Sequence, residues 1–417
     1  MELQSRFRGA LLGLACGDAV GTTVEFKPRG SFPPATDMLG GGPFRLKPGQ
    51  WTDDTSMALC LATSLIESNG FDPHDQMRRY CRWMDEGYLS SNGVCFDIGG
   101  TVRRALSNFK ATGSANSGPT DPRSAGNGCL MRLAPAPMFF YGSRDDAVDH
   151  AERSARTTHG ALECLEASRL FGAMIHDALS GKTKSEILFG QSVAETFSPS
   201  VASIAHGEYR DRTESLVKST GYVIDSLEAA LWCFHHTDSF PTAVLRAANL
   251  GGDADTIAAI VGQLAGAYYG EQGIPAAWRR LVCMSDEITQ LSDQLYGSAI
   301  AKRSRGTLGP APAHQTEAPE RSKKMARKTG EKVQLQYINK HGEFSSLTLD
   351  KYLADYLFRK TKDAMQWVQD RHDEFVRAME QSMKKLEGRK LARAVGDSIR
   401  FSALTLALGD DEFWGDI

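Results

Sequence analysis

The sequence predicts an all-α protein built around one large helical domain, and three observations support this prediction. Apolar residues recur at helical spacing across the first 298 residues, where the alternation typical of strands is hard to find. Glycine and proline cluster between these segments. The chain has 417 residues, 41% of them hydrophobic and 24% charged, so it can bury a sizeable core and exceeds one ordinary domain.

The helical segments follow one another from the N-terminus. Their apolar positions are Phe7/Leu11/Leu12/Leu14, Met57/Leu61/Leu65, Leu162/Leu165/Ala167/Leu170/Phe171 and Ile257/Ile260/Val261/Leu264. Long loops separate them, such as GGGPFRLKPGQ (40–50) and ATGSANSGPTDPRSAGNG (111–128). We therefore expect a compact helical domain over residues 1–299, with long loops available for function.

The last part of the chain has a different composition. Residues 300–330 have few large apolar side chains and mix Pro, Gly, Thr and charge, which predicts a linker. Residues 331–417 then predict a small, mostly helical module. VQLQYIN and EFSSLTL in it favour a short hairpin, and helical spacing follows over 350–386 and 389–408. Residues 321–400 carry 19 Lys and Arg against 11 Asp and Glu; a solvated helix surface explains this excess better than nucleic-acid binding.

Overall charge and cysteine usage narrow the class of protein. The formal net charge of −3 indicates no particular partner. No uncharged apolar stretch reaches about 18 residues, so we expect no transmembrane helix. The N-terminal apolar stretch is flanked by mixed charges and reads as an amphipathic helix, not a signal peptide. None of the eight cysteines forms a CxxC pair, which predicts free thiols in the reducing cytoplasm.

Four stretches carry more acid, glycine and asparagine than packing requires. They are GDAVGTTVEF (17–26), WTDDTSM (51–57), FDIGGTVRRAL (96–106) and NLGGDADTIAAI (249–260). In the second, Thr52 can cap a helix whose first turn carries Asp53 and Asp54, which is the simpler interpretation for that stretch alone. It does not require both aspartates.

The stretch GGDADT repeats the same chemistry about 200 positions later. Asp253 and Asp255 flank one small residue, Thr256 follows, and an apolar helix again begins at once. One site explains both stretches if the two helix N-termini converge. Mg²⁺ and Mn²⁺ prefer oxygen ligands, and four carboxylates in one pocket repel each other unless cations offset them. The sequence therefore predicts two metals.

Other residues are candidates near such a centre, each with an alternative interpretation. Glu25 follows a glycine-containing turn and is equally well an exposed loop carboxylate; Asp97 precedes a Gly pair and is equally well a helix cap. The Gly126-Asn127-Gly128 turn offers backbone N–H groups suited to phosphate, although such turns are common. His159 opens a helix, where a cap or surface role is commoner.

Together, six stretches resemble the ADP-ribosylglycohydrolase family. They are RGALLGLACGDAVGTTVEF, WTDDTSMAL, CFDIGGTVRRAL, GNGCLMRLAP, THG and NLGGDADTIAAIVGQLAGAYYG. Each is weak alone, but all six in this order are specific. The resemblance covers roughly residues 3–298 and excludes the segment after residue 300. Gly100 departs from the pattern, since the nitrogenase-linked members have Asn at this position.

The resemblance implies an all-α fold with two bound Mg²⁺ or Mn²⁺ ions. It assigns the metals to Thr52, Asp53, Asp54, Asp253, Asp255 and Thr256. It assigns ADP-ribose binding to Gly99, Gly100, Thr101, Gly126, Asn127, Gly128, Cys129 and His159. Catalysis is expected from Asp97 or from Glu25, with Asp97 as the preferred proton carrier.

The activity implied is removal of ADP-ribose from arginine of a modified protein. Alternatives are hydrolysis of serine-linked ADP-ribose or O-acetyl-ADP-ribose, and a non-catalytic protein that binds ADP-ribose or occludes a toxin. Because bacterial relatives serve as immunity proteins that reverse a toxin's modification, the C-terminal module is expected to contact the toxin or the modified target. No membrane contact is expected, and a nucleic-acid partner is disfavoured.

Overall fold

The computed structural model describes residues 2–191 and 197–307, together with the strand residues 328–329, 332–338 and 344–350. The chain divides into two compact units, residues 1–311 and 312–417. The described part of the first unit is helical, as the sequence predicts. None of the described helices is long and apolar enough to cross a membrane.

The α-helices of the described residues follow in chain order. They are α1 (Leu3–Gly21), α2 (Asp53–Glu67), α3 (Pro73–Glu86), α4 (Gly100–Thr112), α5 (Pro135–Phe139), α6 (Arg144–Arg156), α7 (Leu162–Leu179), α8 (Lys184–Phe189), α9 (Pro199–Ala205), α10 (Val223–His235), α11 (Phe240–Ala248), α12 (Ala254–Tyr269), α13 (Ala276–Leu281) and α14 (Ser285–Thr307). Short 3₁₀ turns cover Pro122–Ser124, Asn127–Cys129, Glu214–Leu216 and Glu271–Gly273.

Helices α1 and α12 pack antiparallel through small residues. A Cβ added to Gly9 would lie 2.2 Å from the Gly266 carbonyl oxygen, and one added to Gly13 would lie 2.3 Å from that of Gly262. At Gly17 the Ala258 carbonyl oxygen would be 2.1 Å away. The backbones approach this closely only because side chains are missing at the contact. We call this contact the glycine seam; it places the C-terminal end of α1 beside the N-terminal end of α12.

A second apolar contact positions α4. Met57 and Cys60 of α2, Tyr80 and Trp83 of α3 and Val102 of α4 belong to one buried cluster, separate from the main core. Helix α3 has clear boundary signals, since the Asp72 side chain accepts hydrogen bonds from the backbone N–H groups of its first turn. This cluster fixes the start of α4 near the start of α2.

The C-terminal unit contains three described strands, β1 (Lys328–Thr329), β2 (Lys332–Ile338) and β3 (Phe344–Asp350). β2 pairs antiparallel with β3, from Lys332 opposite Asp350 to Ile338 opposite Phe344, at the place where the hairpin is expected. The helices expected over 350–386 and 389–408 lie outside the described residues. Helix α14 continues to Thr307, past residue 299, so it includes the start of the predicted linker. The domain boundaries and the role of the C-terminal module stay predictions.

All eight cysteines are free thiols, as the sequence predicts. Five of them are buried in the helical domain: Cys16, Cys60, Cys129, Cys164 and Cys233. Burial raises the pKa of the Cys60 thiol, which keeps it protonated at neutral pH. Cys60 therefore acts as a small apolar core residue.

Candidate active site and metal centre

The end of the glycine seam brings a buried carboxylate to the start of α2. Asp18, on the last turn but one of α1, accepts hydrogen bonds from the backbone N–H groups of Thr52 (2.9 Å) and Thr55 (3.1 Å). It also accepts from both hydroxyls, at 2.9 Å and 2.6 Å. The expectation that the Thr52 side chain caps α2 is wrong, because Asp18 supplies the capping carboxylate from another helix.

The start of α12 is shaped by a glycine turn. Gly251 and Gly252 both have positive φ, at 68° and 65°, and a Cβ on Gly252 would lie 2.1 Å from the Ser219 carbonyl oxygen. Asp253 then takes the N-cap position without capping the helix through its side chain. Its carboxylate instead accepts a hydrogen bond of 2.6 Å from Asn127 Nδ2.

The two acidic stretches meet, as the sequence predicts. Thr52 Oγ1 lies 3.3 Å from Asp255 Oδ2, and Thr256 Oγ1 lies 3.4 Å from Asp54 Oδ1. Each threonine hydroxyl thus faces a carboxylate of the opposite stretch. The N-terminal ends of α2 and α12 converge on one acidic floor, which we define by Asp18, Asp53, Asp54, Asp253 and Asp255.

The acidic floor has the donors of a divalent metal centre. Single carboxylate oxygens of Asp18, Asp54 and Asp255 lie within 4.8 Å of one another, and so do those of Glu25, Asp97 and Asp255. Asp54 Oδ2 and Asp255 Oδ1 are buried with no hydrogen-bond partner among the described residues. Buried carboxylate oxygens normally have a partner, and Mg²⁺ or Mn²⁺ supplies one. The residues present therefore fit a metal centre.

These two groups differ in part from the predicted ligand set. Asp54 and Asp255 belong both to the predicted set and to the observed groups. The observed groups also contain Asp18, which was not predicted, and Glu25 and Asp97, which were expected to act in catalysis. Asp18 is one site residue that the sequence patterns did not predict. An acid within the apolar run of α1 was the available signal, because an unpaired charge inside a packed helix is costly.

Burial and mutual repulsion dominate the electrostatics of this site. Burial, then the Asp18 and Asp253 charges, raises the pKa of Asp97 to about 7. Burial, then Asp97 and Asp253, raises the pKa of Glu25 to about 9. Burial likewise raises the pKa of Asp18 to about 6. Burial also raises the pKa values of Asp53, Asp54, Asp253 and Asp255. These carboxyls cannot all ionise at neutral pH without cations among them.

A cavity of about 630 Å³ opens above the acidic floor. The predicted site residues that line it are Glu25, Asp53, Asp97, Gly99, Gly100, Thr101, Gly126, Asn127, Gly128, His159, Asp253 and Thr256. Four others are buried and do not line it: Thr52, Asp54, Cys129 and Asp255. The volume suits a small-molecule ligand.

Two loops close the cavity, and one differs from its expected chemistry. Gly99 and Gly100 begin α4 with open space at their Cα atoms, so this helix N-terminus is available to an anion. The prediction that the backbone N–H groups of residues 126–128 are free is wrong for two of them. Gly126 N–H already donates to Ser124 (2.8 Å) and Asn127 N–H to Gly221 (3.1 Å).

Asp97 has an unusual backbone conformation at the edge of the cavity. Its φ is +58°, in the left-handed region, which Asp and Asn enter more easily than most other residues. It lies next to the α4 N-terminus, and its carboxylate is close enough to Asp255 and Glu25 to form one of the two oxygen groups. The alternative role of Asp97 as the α4 cap is not observed, since Gly99 occupies the N-cap.

Aromatic side chains form part of the cavity wall, and the sequence analysis missed them. Phe26 follows Glu25 directly and is 64% exposed. Its ring lies 6.5 Å from that of Phe44, which in turn lies 5.1 Å from that of Phe96. We call these three residues the aromatic wall. Nothing in the local sequence pattern distinguishes them from core aromatics, because Phe26 and Phe44 come from the long connection between α1 and α2 and Phe96 from the one between α3 and α4.

The helical domain matches a known family. A model of the ADP-ribosylglycohydrolase family covers residues 1–305. The chain belongs to the ADP-ribosylglycohydrolase family. It is an enzyme of the hydrolase class that this family defines, which confirms the resemblance drawn from the six stretches. The three C-terminal strands lie outside the matched residues.

Similar proteins support the family membership. The chain is 44% identical over 294 residues to the ADP-ribosylarginine hydrolase Tri1 of Pseudomonas putida, covering 70% of this chain and 78% of that protein. It is 34% identical over 283 residues to the ADP-ribosyl-(dinitrogen reductase) glycohydrolase of Rhodospirillum rubrum, covering 66% and 90%. A solved structure described as an ADP-ribosylglycohydrolase-related protein complex matches with a TM-score of 0.63 at 43% identity, covering 72% of this chain and 99% of that one.

Proposed function

We propose that this chain removes ADP-ribose from arginine side chains of a modified protein, with two Mg²⁺ or Mn²⁺ ions in the acidic floor. The observation that carries the proposal is the pair of oxygen groups that share Asp255, with Asp54 Oδ2 and Asp255 Oδ1 buried and unpartnered. The arginine specificity is supported by the similarity to relatives named ADP-ribosylarginine hydrolase, at 44% and 41% identity.

The metals belong with the carboxylates and hydroxyls that converge at the two helix N-termini. The residues that would hold them are Thr52, Asp53, Asp54, Asp253, Asp255 and Thr256. Asp18 shares an oxygen group with Asp54 and Asp255 and also caps α2. When bound, the ions orient the ribose hydroxyls and lower the pKa of bound water. Without them the floor carries repulsion that only proton uptake relieves.

The cavity walls supply the contacts for ADP-ribose. The N-terminus of α4, at Gly99, Gly100 and Thr101, lines the cavity and favours a phosphate group through its free N–H groups and dipole. His159 also lines the cavity and lies next to Gly128. The Asn127 side chain donates to Asp253 at 2.6 Å and to Ser226 at 2.8 Å. It therefore keeps the turn at residues 126–128 attached to the acidic floor.

Asp97 is the proposed proton carrier. Hydrolysis joins a water oxygen to the anomeric carbon and breaks the bond to the guanidine nitrogen. One proton must leave the water, and one must reach the departing nitrogen. In the metal-free protein the pKa of Asp97 is raised to about 7 and that of Glu25 to about 9, and a cation beside them would lower both. Of the two, Asp97 titrates nearer neutral pH, which suits proton transfer. Glu25 then positions the substrate at the scissile bond.

The aromatic wall favours arginine over serine as the leaving group. Phe26 adjoins Glu25 and presents an exposed ring at the cavity. A guanidinium group stacks on aromatic faces, whereas a serine hydroxyl gains nothing comparable from such a surface. Substrates with serine-linked or acetyl-linked ADP-ribose are therefore expected to react more slowly.

The test is a release assay on an arginine-ADP-ribosylated protein with Mg²⁺ or Mn²⁺. We expect release that stops with EDTA and with Asp54→Asn, whereas the exposed Asp145→Asn in α6 serves as a matched control and keeps full activity. Release that survives both treatments contradicts the metal mechanism. Release from a serine-linked substrate, without release from arginine, contradicts the proposed specificity.

A further inference from the structure

Arg132 is an unusual buried cation beside the cavity. Its side chain is 0% exposed, and no carboxylate among the described residues forms an ion pair with it. Its Nη1 donates to the Gly128 carbonyl oxygen (3.0 Å), and its Nη2 donates to Thr158 Oγ1 (2.5 Å). The Tyr80 ring lies 4.8 Å from the guanidinium carbon. Nη2 also lies 3.5 Å from the Ser154 carbonyl oxygen, while Nε has no hydrogen-bond partner among the described residues. A buried guanidinium with so few acceptors depends on its short hydrogen bonds, and these hold Gly128 and Thr158 in place.

Thr158 transmits this constraint to His159. The Thr158 hydroxyl is fully buried, accepts from Arg132 and lies 2.9 Å from His159 Nδ1. Arg132 has only donors, so it cannot take the hydroxyl proton. Among the described residues, His159 Nδ1 is the one acceptor within reach of that proton. The hydroxyl therefore donates to Nδ1.

The other ring nitrogen then has a fixed role. A neutral imidazole with Nδ1 as acceptor carries its proton on Nε2. That side of the ring lies at the cavity, since a Cβ added to Gly128 would lie 3.2 Å from Nε2 and 2.9 Å from Cε1. Burial, and then the Arg132 charge, lowers the pKa of His159 well below its usual value, which keeps the ring neutral.

We propose that Arg132 and Thr158 are positioning residues that fix His159 as the Nε2–H tautomer, so that it donates a hydrogen bond to an oxygen of the bound ADP-ribose. His159 is then a binding group and not a general base, because its lone pair on Nδ1 is already engaged. The ligand part of this inference rests on the proposed function; the tautomer does not.

The direct test is ¹⁵N NMR of the histidine ring in the full chain, with His159→Gln identifying the resonance. We expect the Nε2–H pattern in the unmodified protein. Thr158→Val removes the donor to Nδ1 without changing the side-chain shape. It should abolish the single tautomer and weaken ADP-ribose binding by about tenfold, the cost of one lost hydrogen bond to a polar ligand. Thr158→Ser keeps the hydroxyl and should preserve both.

Two results would overturn the inference. One is an Nδ1–H pattern for His159 in the unmodified protein, which does not depend on either Thr158 variant. The other is a Thr158→Val protein that melts like Thr158→Ser yet keeps the Nε2–H pattern and full ADP-ribose affinity. A protein with the expected tautomer that fails to release ADP-ribose from arginine contradicts the proposed function and leaves the tautomer assignment intact.

Discussion

Helices α1 and α12 have two contrasting regions along one line of contact. Over most of their length they meet at the glycine seam, where backbone packs on backbone without polar side chains. At one end the same helices present Asp18 and Asp255, two buried carboxylates within 4.8 Å. One region stabilises the fold through close packing, and the other opposes it through repulsion.

The difference shows how a fold holds an unfavourable group of charges in place. A Cβ on Gly21 would lie only 2.4 Å from the Asp255 Cα, so the last turn of α1 comes as close to the start of α12 as only a glycine allows. The seam thereby brings Asp18 to the starts of both α2 and α12. We expect substitutions in the seam to change stability, and substitutions at the floor and its cavity to change chemistry.

The largest expected effect concerns chemistry alone. Asp97→Asn should lower turnover by about 10³-fold, within the range for loss of a general acid or base. Asn also tolerates the left-handed backbone at this position, so the melting temperature and ADP-ribose affinity should stay close to those of the unmodified protein. The measurement is single-turnover release, with calorimetry for binding.

Glu25→Gln is the comparison for this prediction. We expect it to weaken turnover less than Asp97→Asn does, because Glu25 is assigned to positioning. Unchanged turnover in Asp97→Asn, together with loss in Glu25→Gln, would transfer the proton-carrying role to Glu25.

The second expected effect concerns the seam. Gly17→Ala places a Cβ 2.1 Å from the Ala258 carbonyl oxygen, a clash with backbone that no side-chain rotation relieves. The free energy of unfolding should fall by about 3 kcal/mol, the upper part of the usual range for overpacking. Urea unfolding followed by circular dichroism measures it. Gly297→Ala in α14 is the matched control: it meets open space, so it should stabilise by up to about 1 kcal/mol. Equal effects at the two positions would refute the role of the seam.

Much of the fold and part of the site were predictable from the sequence. Helical spacing, such as that of Met57, Leu61 and Leu65, predicts helices because one face must be buried. The convergence of WTDDT with GGDADT followed from repeated chemistry and from the family resemblance. The glycines of α1 recur every four residues at 9, 13, 17 and 21, yet their partners on α12 are set by tertiary packing alone.

The remaining site residues depend on contacts that are distant in sequence. Asp18 caps α2 from another helix, and the capping rules read from sequence consider only local neighbours. The aromatic wall joins two loops, so no periodicity marks it. In the sequence, only its charge within an apolar run distinguishes Arg132. Its partners Gly128 and Thr158 are known only from the folded structure.

The third expected effect concerns the floor without metal. The pKa values of Asp97 and Glu25 rise on folding, from 3.8 to about 7 and from 4.5 to about 9. Between the unfolded and folded values the folded chain holds more protons, so its stability falls as pH rises. From about pH 6.5 to about pH 8.5 we expect a loss of about 1.4 kcal/mol per pH unit in EDTA, which corresponds to the release of one proton.

Thermal unfolding with and without metal measures this slope. Histidines whose pKa falls on folding, such as His159, give an opposite slope below about pH 6.5 and do not interfere above it. Mg²⁺ or Mn²⁺ should remove the slope by offsetting the ionised carboxylates. A metal-free protein whose stability rises over this range would contradict the repulsion assigned to the floor.

The smallest expected effect lies outside both regions. Phe26→Ala removes a largely exposed ring, so stability should hardly change. Loss of a partly solvated cation–π contact should lower kcat/KM on arginine-linked substrate by about threefold, mainly through KM, and leave serine-linked substrate unaffected. Leu216→Ala, at a residue 63% exposed and outside the cavity lining, is the matched control. An equal loss on both substrates would mean that Phe26 shapes the cavity without selecting the leaving group. A loss of turnover as large as that of Asp97→Asn would mean that Phe26 takes part in the catalytic step itself.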